Sequence, residues 1–183
     1  MEKPEKLEFR KLEPNEIECR IGTISEKGLS LLLYKDARVD MNLLDETVGP
    51  MNWKREHTRE NRNCIVSIWD SEKKEWVSKE DTGTESNTEA EKGLASDSFK
   101  RACFNWGIGR ELYTAPFIWV KAKDCNIEEG YNGRKKCNDK FVVAKLNYKD
   151  NGDIDGLAIQ NVKTGNYVFV QMPTDPKNME DKK

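Results

Sequence analysis

The sequence predicts an α+β fold: an antiparallel sheet packed against a long helix and shorter helices, with a C-terminal β extension. Three observations predict it. From Leu29 to Trp106 the apolar periodicity runs strand, helix, three strands, helix, an order that suits an antiparallel sheet with helices on one face. Residues 89–106 place Ala95, Phe99, Ala102, Cys103 and Trp106 on one stripe at helical spacing. Beyond Tyr113 strand-like alternation returns, in Phe141–Tyr148 and Tyr167–Met172. The chain has 183 residues, enough for a sizeable core.

In chain order, residues 1–13 are charged and poorly patterned and read as a flexible arm. Residues 14–113 read as the core. Pro14-Asn15-Glu16-Ile17 opens a short helix ending near Gly22. Leu29–Tyr34 is a continuous apolar run of strand length, so a buried strand is expected. Asp36 is placed to cap a helix over Ala37–Val48, with Val39, Leu43, Leu44 and Val48 on its apolar side and Gly49-Pro50 as its stop. Asn52–Glu60 reads as a charged edge strand, Cys64–Trp69 as a buried strand, and Trp76–Thr82 as its hairpin partner across the Ser71–Glu75 turn. Gly83–Thr88 is a polar loop. Asn87 or Thr88 is placed to cap the main helix, with Glu91 at capping-box spacing from Thr88, and Gly107 and Gly109 end it. Residues 114–172 read as a β extension continuous with the core: a short strand at Pro116–Val120, a loop over Asp124–Asn138, and the two alternating segments, with turns at Asn151-Gly152 and Thr164-Gly165-Asn166. Residues 173–183 are a polar tail.

The long helix has a second face. At about 100° per residue, Lys100, Arg101 and Phe104 share a sector of about 100°, with Asp97 one turn before Arg101 and placed to hold it. Two cations beside an aromatic ring suit a phosphate backbone and a stacked base; they equally suit a solvated face with one stray Phe. Gly93, Ala90 and Leu94 lie outside the main stripe, poorly buried in a monomer, which points to a homo-oligomer.

SDSFKRACFNWGIGREL resembles the helix signature of the Rad-fifty-two family of single-strand annealing proteins, in its phage and bacterial branch. The family's mid-helix Lys-Arg-Ala is matched by Lys100-Arg101-Ala102, and its following aromatic-Gly pair by Trp106-Gly107. Tyr34, Asn42-Leu43, Gly49 and Trp53 are similar in order and spacing to the family's strand end, short helix and next strand. Glu80-Asp81-Thr82-Gly83 resembles the acidic-Gly end of its hairpin. The resemblance covers about Leu29 to Leu112.

The resemblance implies a protein that binds single-stranded DNA without ATP and anneals complementary strands in recombination and repair. It implies a homo-oligomeric ring or filament, and a single-strand-binding protein or a phage exonuclease as a partner. It places Lys100, Arg101 and Tyr34 in an inner DNA groove. Phe104 stands where eukaryotic members have an Arg, so stacking would replace a phosphate contact there. A second, outer site falls nearest Arg59 or Arg62, and Lys92 lies near a further family cation. Tyr34 is also readable as a strand-end core residue, and Arg59, Arg62 and Lys92 as solvated charges.

Composition sets bounds on these readings. The net charge is -2, which disfavours a purely electrostatic nucleic-acid binder. Its distribution is uneven: residues 92–149 carry 12 basic and 6 acidic side chains, a local attraction in an acidic chain. Arg134-Lys135-Lys136 in the Asp124–Asn138 loop is either a solvated tip or a finger on DNA phosphates. The five cysteines, Cys19, Cys64, Cys103, Cys125 and Cys137, show no CxxC pairing and read as reduced thiols in a cytoplasmic protein; no metal or other cofactor is expected. The charged start lacks a signal peptide's apolar core. No Gly-x-x-x-x-Gly-Lys loop occurs, so ATP-driven strand exchange is not expected. His57, the one histidine, sits in a charged strand and reads as a surface residue, leaving no Ser-His or Cys-His nucleophile. The competing classes are a metal-dependent nuclease, drawing on carboxylates such as Asp36, Asp40, Asp81 and Glu85, and an accessory oligomeric scaffold that binds no DNA.

Overall fold

A computed structural model describes residues 6–84, 90–175 and 177, without the side chains of 90–92. Among the described residues a 3-10 turn at Pro14–Glu16 is followed by β1 (Glu18–Ser25), β2 (Gly28–Tyr34), α1 (Ala37–Val48), β3 (Trp53–Thr58), β4 (Asn63–Asp70), β5 (Glu75–Thr82), α2 (Ala90–Trp106), β6 (Ile118–Lys121), β7 (Ile127–Glu129), β8 (Lys135–Cys137), β9 (Phe141–Tyr148), β10 (Ile154–Asn161) and β11 (Tyr167–Gln171). The fold is α+β, and every strand pair is antiparallel. The strands form separate sheets of six, three and two rather than the one sheet expected. The chain divides into two compact units, one from Asp36–Arg110 with the described part of Met1–Lys11, the other from Leu12–Lys35 and Glu111–Lys183.

The first unit holds both long helices and the sheet β3-β4-β5. Asp36 caps α1 as its position predicts, its carboxylate accepting from the Arg38 N–H at 2.8 Å. Gly49 ends α1 at φ 85°, a conformation that glycine adopts without Cβ strain. Leu43 and Leu44 of α1, Cys64 and Val66 of β4, and Phe99, Ala102 and Cys103 of α2 are fully buried. A buried Leu or Phe contributes about 1.5–3 kcal/mol by leaving water. The Trp53 ring stacks on Phe99 at 6.2 Å and donates from Nε1 to Asp45 at 2.6 Å, joining β3 to both helices. Phe9, in the segment read as an arm, is also buried. Leu94 is 7% exposed, so the small-residue side of α2 offers less uncovered surface than its sequence suggested.

The second unit is a six-stranded sheet in the order β11-β10-β9-β1-β2-β6. Its end strands β11 and β6 lie against each other, giving a barrel-like closure. Two of these strands depart from the sequence reading. Residues 18–25, read as helix as far as about Gly22, form β1, and residues 154–161, passed over between two turns, form β10. β2 is buried on both faces in its first half, where Ser30 is covered as well as Leu29 and Leu31, and opens on one face at its end, where Leu32 is 48% and Tyr34 39% exposed. Part of the Asp124–Asn138 loop is a small ladder, β7 with β8. The buried Glu111 carboxylate accepts from the Leu12 N–H at 2.8 Å. The Tyr148 hydroxyl donates to the Leu12 carbonyl at 2.8 Å, and burial together with Glu111 pushes its pKa up. The buried Asp155 carboxylate accepts from the Thr174 hydroxyl at 2.6 Å and the Asp175 N–H at 3.0 Å, fixing the chain beyond β11.

Candidate nucleic-acid interface

The first unit contains α2, on which Lys100, Arg101 and Phe104 lie. The helix lies against β4 and β5 through polar as well as apolar contacts: Trp106 Nε1 donates to the Val66 carbonyl at 3.1 Å, and Asn105 Nδ2 to the Glu80 carbonyl at 3.1 Å. Gly83 explains the acidic-Gly end of the hairpin. A Cβ there would stand 2.5 Å from the Ser98 amide nitrogen and 2.8 Å from the Leu94 carbonyl, so only glycine lets the end of β5 pass so close to the helix backbone. Asp97 is taken up at the same place, accepting from the Thr84 amide at 2.9 Å and its hydroxyl at 3.2 Å.

Arg101 therefore finds a different partner from the one its spacing suggested. Its Nε lies 3.2 Å from Asp81 Oδ1 on β5, with the Arg101 side chain 47% exposed and that of Asp81 23%. Asp81 is also bonded by Asn105 Nδ2 at 3.3 Å. Lys100 and Phe104 are half-buried and Arg101 is exposed. The face is thus a cation held by a carboxylate, beside a second cation and a ring with part of its surface in water.

A residue that sequence reading passed over completes this face. Arg110 reaches back over the helix end, donating from Nε to the Phe104 carbonyl and from its terminal nitrogen to the Asn105 carbonyl, both at 2.8 Å. Its guanidinium lies 5.7 Å from the Phe104 ring centroid, a cation–π distance. The turn that brings it there is a Schellman cap: Ile108 N–H bonds to the Cys103 carbonyl and Gly107 N–H to the Phe104 carbonyl, with Gly107 at φ 105°. The signal was present in the run Gly107–Gly109 followed by a basic residue, which satisfies the last carbonyls of a helix. Lys79 of β5 adds a further cation, donating to the Asn105 carbonyl at 2.9 Å and lying 4.4 Å from the Trp106 ring.

Arg59 and Arg62 sit in the turn between β3 and β4 and are exposed. Three consecutive residues there, Arg59, Glu60 and Asn61, have left-handed φ of 51°, 56° and 66°, each disfavoured for a side chain with a Cβ. The turn is pinned to α2 by the Ser98 hydroxyl, which donates to the Asn61 carbonyl at 3.0 Å, and to the end of β5 by the Gly83 N–H, which donates to the Arg62 carbonyl at 2.8 Å. Both arginines are thereby fixed to the body that carries Lys100 and Arg101. His57 is not a plain surface residue. Its Nδ1 lies 3.5 Å from the same Ser98 hydroxyl, and burial, then the Arg55 charge, lower its pKa below the ordinary 6.5.

The remaining candidates fall elsewhere. Tyr34 belongs to the second unit, where the Arg20 guanidinium lies 4.9 Å from its ring. The Lys92 side chain, the Asn87, Thr88 and Glu91 caps, and Glu85 lie outside the described residues. Of the carboxylates that a nuclease would draw on, Asp36 caps α1 and Asp81 holds Arg101. Among the described residues no three His, Cys, Asp or Glu side chains are grouped to hold a metal ion, and no helix is long and apolar enough to cross a membrane. The five cysteines are free thiols.

The family model described as Rad52/22 family double-strand break repair protein matches residues 63–131. That span begins at β4, contains β5 and all of α2 with its Schellman turn and Arg110, and supports the resemblance carried by Lys100-Arg101-Ala102 and Trp106-Gly107. No curated protein and no solved structure matches the chain.

Proposed function

We propose that this chain binds single-stranded DNA along the exposed face of α2 and anneals complementary strands without ATP, in DNA recombination and repair. The observation that carries the reading is the grouping of Lys100, Arg101, Phe104 and Arg110 on one end of α2, inside the span matched by the repair-protein family. Cations on a rigid helix take phosphates, and a ring beside them takes the face of a base without reading its identity. Sequence tolerance in the protein leaves specificity to pairing between the strands. Arg59 and Arg62, on a turn fixed to the same helix, supply an outer contact, and Lys92 and Tyr34 further ones.

The finer reading is of the family's phage and bacterial branch, acting as a homo-oligomeric ring or filament in the cytoplasm of a bacterial or phage-infected cell. A single-strand-binding protein or a phage exonuclease is the fitting partner. The protein is read as a non-enzyme: the strands are brought together by binding alone. The test is a gel shift with annealing of complementary oligonucleotides, without ATP, over a salt series, on the unmodified chain and on Lys100→Ala and Arg101→Ala. Expected are annealing without nucleotide, binding that weakens steeply with salt, and a lower affinity for each variant at unchanged thermal stability. Binding that is flat with salt, or unaffected by either substitution, would remove the α2 reading.

A further inference from the structure

The second unit carries an aromatic surface of which the reading above uses Tyr34 alone. β2 and β6 pair Ser30 with Trp119 and Leu31 with Ile118. Leu29, Leu31, Ile118 and Val120 are buried toward the core, so Ser30, Leu32 and Tyr34 of β2, and Phe117, Trp119 and Lys121, lie on the opposite face, where Ser30 is covered and Leu32, Tyr34, Phe117 and Lys121 are exposed. Phe117 is 76% exposed and stacks on Trp119 with ring centroids 6.2 Å apart and planes 19° from parallel. The stack has a built floor. A Cβ on Gly28, which has φ 151°, would stand 3.0 Å from the Trp119 ring and would collide with the Val120 carbonyl. Glycine thus lets the indole lie flat on the strand. Lys121, exposed and paired with Gly28, ends the strip on one side. On the other side β1 pairs Arg20 with Leu32 and Glu18 with Tyr34; Glu18 grips Arg20 at 2.7 Å, and its guanidinium lies over the Tyr34 ring at 4.9 Å.

We propose that this outer face of β1, β2 and β6 is a second contact surface for single-stranded DNA, on which the Phe117–Trp119 stack receives a base and Lys121 and Arg20 take the flanking phosphates. It rests on the single-strand-binding reading above. The occupant follows from the chemistry: near-parallel rings with Phe117 largely in water, set at the start of β6 and bracketed by cations, match an unpaired base between two phosphates. A duplex keeps its base faces stacked inside and offers nothing to the rings.

The test is fluorescence anisotropy of a 5′-labelled oligothymidylate on the full chain over a salt series, with Phe117→Ala, Lys121→Ala, Lys100→Ala and Arg101→Ala, and light scattering on each variant. Phe117 is largely in water, so its truncation leaves the fold intact. Expected for Phe117→Ala is an affinity loss of about 5- to 150-fold with unchanged salt slope, and for Lys121→Ala a slope shallower by about 0.7. Loss from Lys100→Ala and Arg101→Ala with none from Phe117→Ala would overturn this surface and leave the α2 reading standing. The reverse pattern would keep this surface and remove α2. A Phe117→Ala protein that changes mass but keeps its affinity per subunit would make the patch a protein contact and overturn the proposal, as would the absence of any binding, which would remove both.

Discussion

Asp81→Asn should make the protein bind single-stranded DNA more tightly, because Asp81 competes with phosphate for Arg101. The two side chains meet at 3.2 Å, with Arg101 47% exposed. A pair so open to water is worth about 0.2–1 kcal/mol. If a phosphate takes the place of the carboxylate, that energy is a cost of binding which the substitution removes, an affinity gain of about 1.4- to 5-fold. Asparagine keeps the size of the side chain and its acceptor for the Thr82 N–H, which Asp81 takes at 2.7 Å. The fold should lose the ion pair and the bond that Asp81 Oδ2 accepts from Asn105 Nδ2, at about 2–4 °C in Tm for each kcal/mol lost. The assay is anisotropy titration at two salt concentrations, completed as a double-mutant cycle with Arg101→Ala. In the Arg101→Ala background the gain should shrink to the small long-range effect of one fewer negative charge. An equal gain with and without Arg101, or a loss of affinity in Asp81→Asn, would refute the competition and with it the placing of Arg101 on a phosphate.

Phe104→Ala should cost about 1–3 kcal/mol of binding with little change in salt slope if the ring stacks a base; loss of stability or assembly with affinity per subunit kept would assign Phe104 to packing. Phe99→Ala, at a fully buried site stacked on Trp53, should destabilise by about 3–5 kcal/mol in urea unfolding, and a cost under about 1 kcal/mol would contradict that burial. His57 has a folded-state pKa below its ordinary 6.5, so between the two values the unfolded chain binds more protons and stability falls as pH drops below 6.5. Chemical denaturation from neutral pH to about pH 5 should show this slope, flattened in His57→Gln; an unaltered slope in the variant would assign it to other groups.

Local chemistry was legible in the sequence wherever it decided the structure. Asp36 before an amphipathic run gives α1 with the expected bounds, and the glycines after Trp106 give the end of α2, because caps and stops act within a few residues. β1 was hidden by the helix-opening look of Pro14-Asn15-Glu16 and by a bulge between Ile21 and Ile24 that breaks its alternation. β10 was hidden because it is buried along nearly its whole length, so the run Ile154–Asn161 has no two-residue period to read. Which strands share a sheet was not legible at all, since pairing β1 with β9 joins residues over a hundred positions apart. The same holds for the site. Lys100, Arg101 and Phe104 were visible as a helix face, but the choice of Asp81 over Asp97 for Arg101 depends on Thr84 claiming Asp97, a tertiary event.

The interleaved order of the two units sets a timetable for synthesis. β1 and β2 are made before α2, yet their neighbours β6 and β9 lie after Arg110. The unit carrying α2 has its whole sequence by that point. Roughly sixty residues then remain before β11 is complete, about 3–12 s at about 5–20 residues per second. During that interval the β1–β2 hairpin must wait with Leu29 and Leu31 uncovered, a nascent chain for a chaperone to hold. A stop codon between Arg110 and Ile118 would leave the α2 unit intact in sequence and the hairpin without either β6 or β9. Its product should be cleared by proteases that recognise the exposed hairpin.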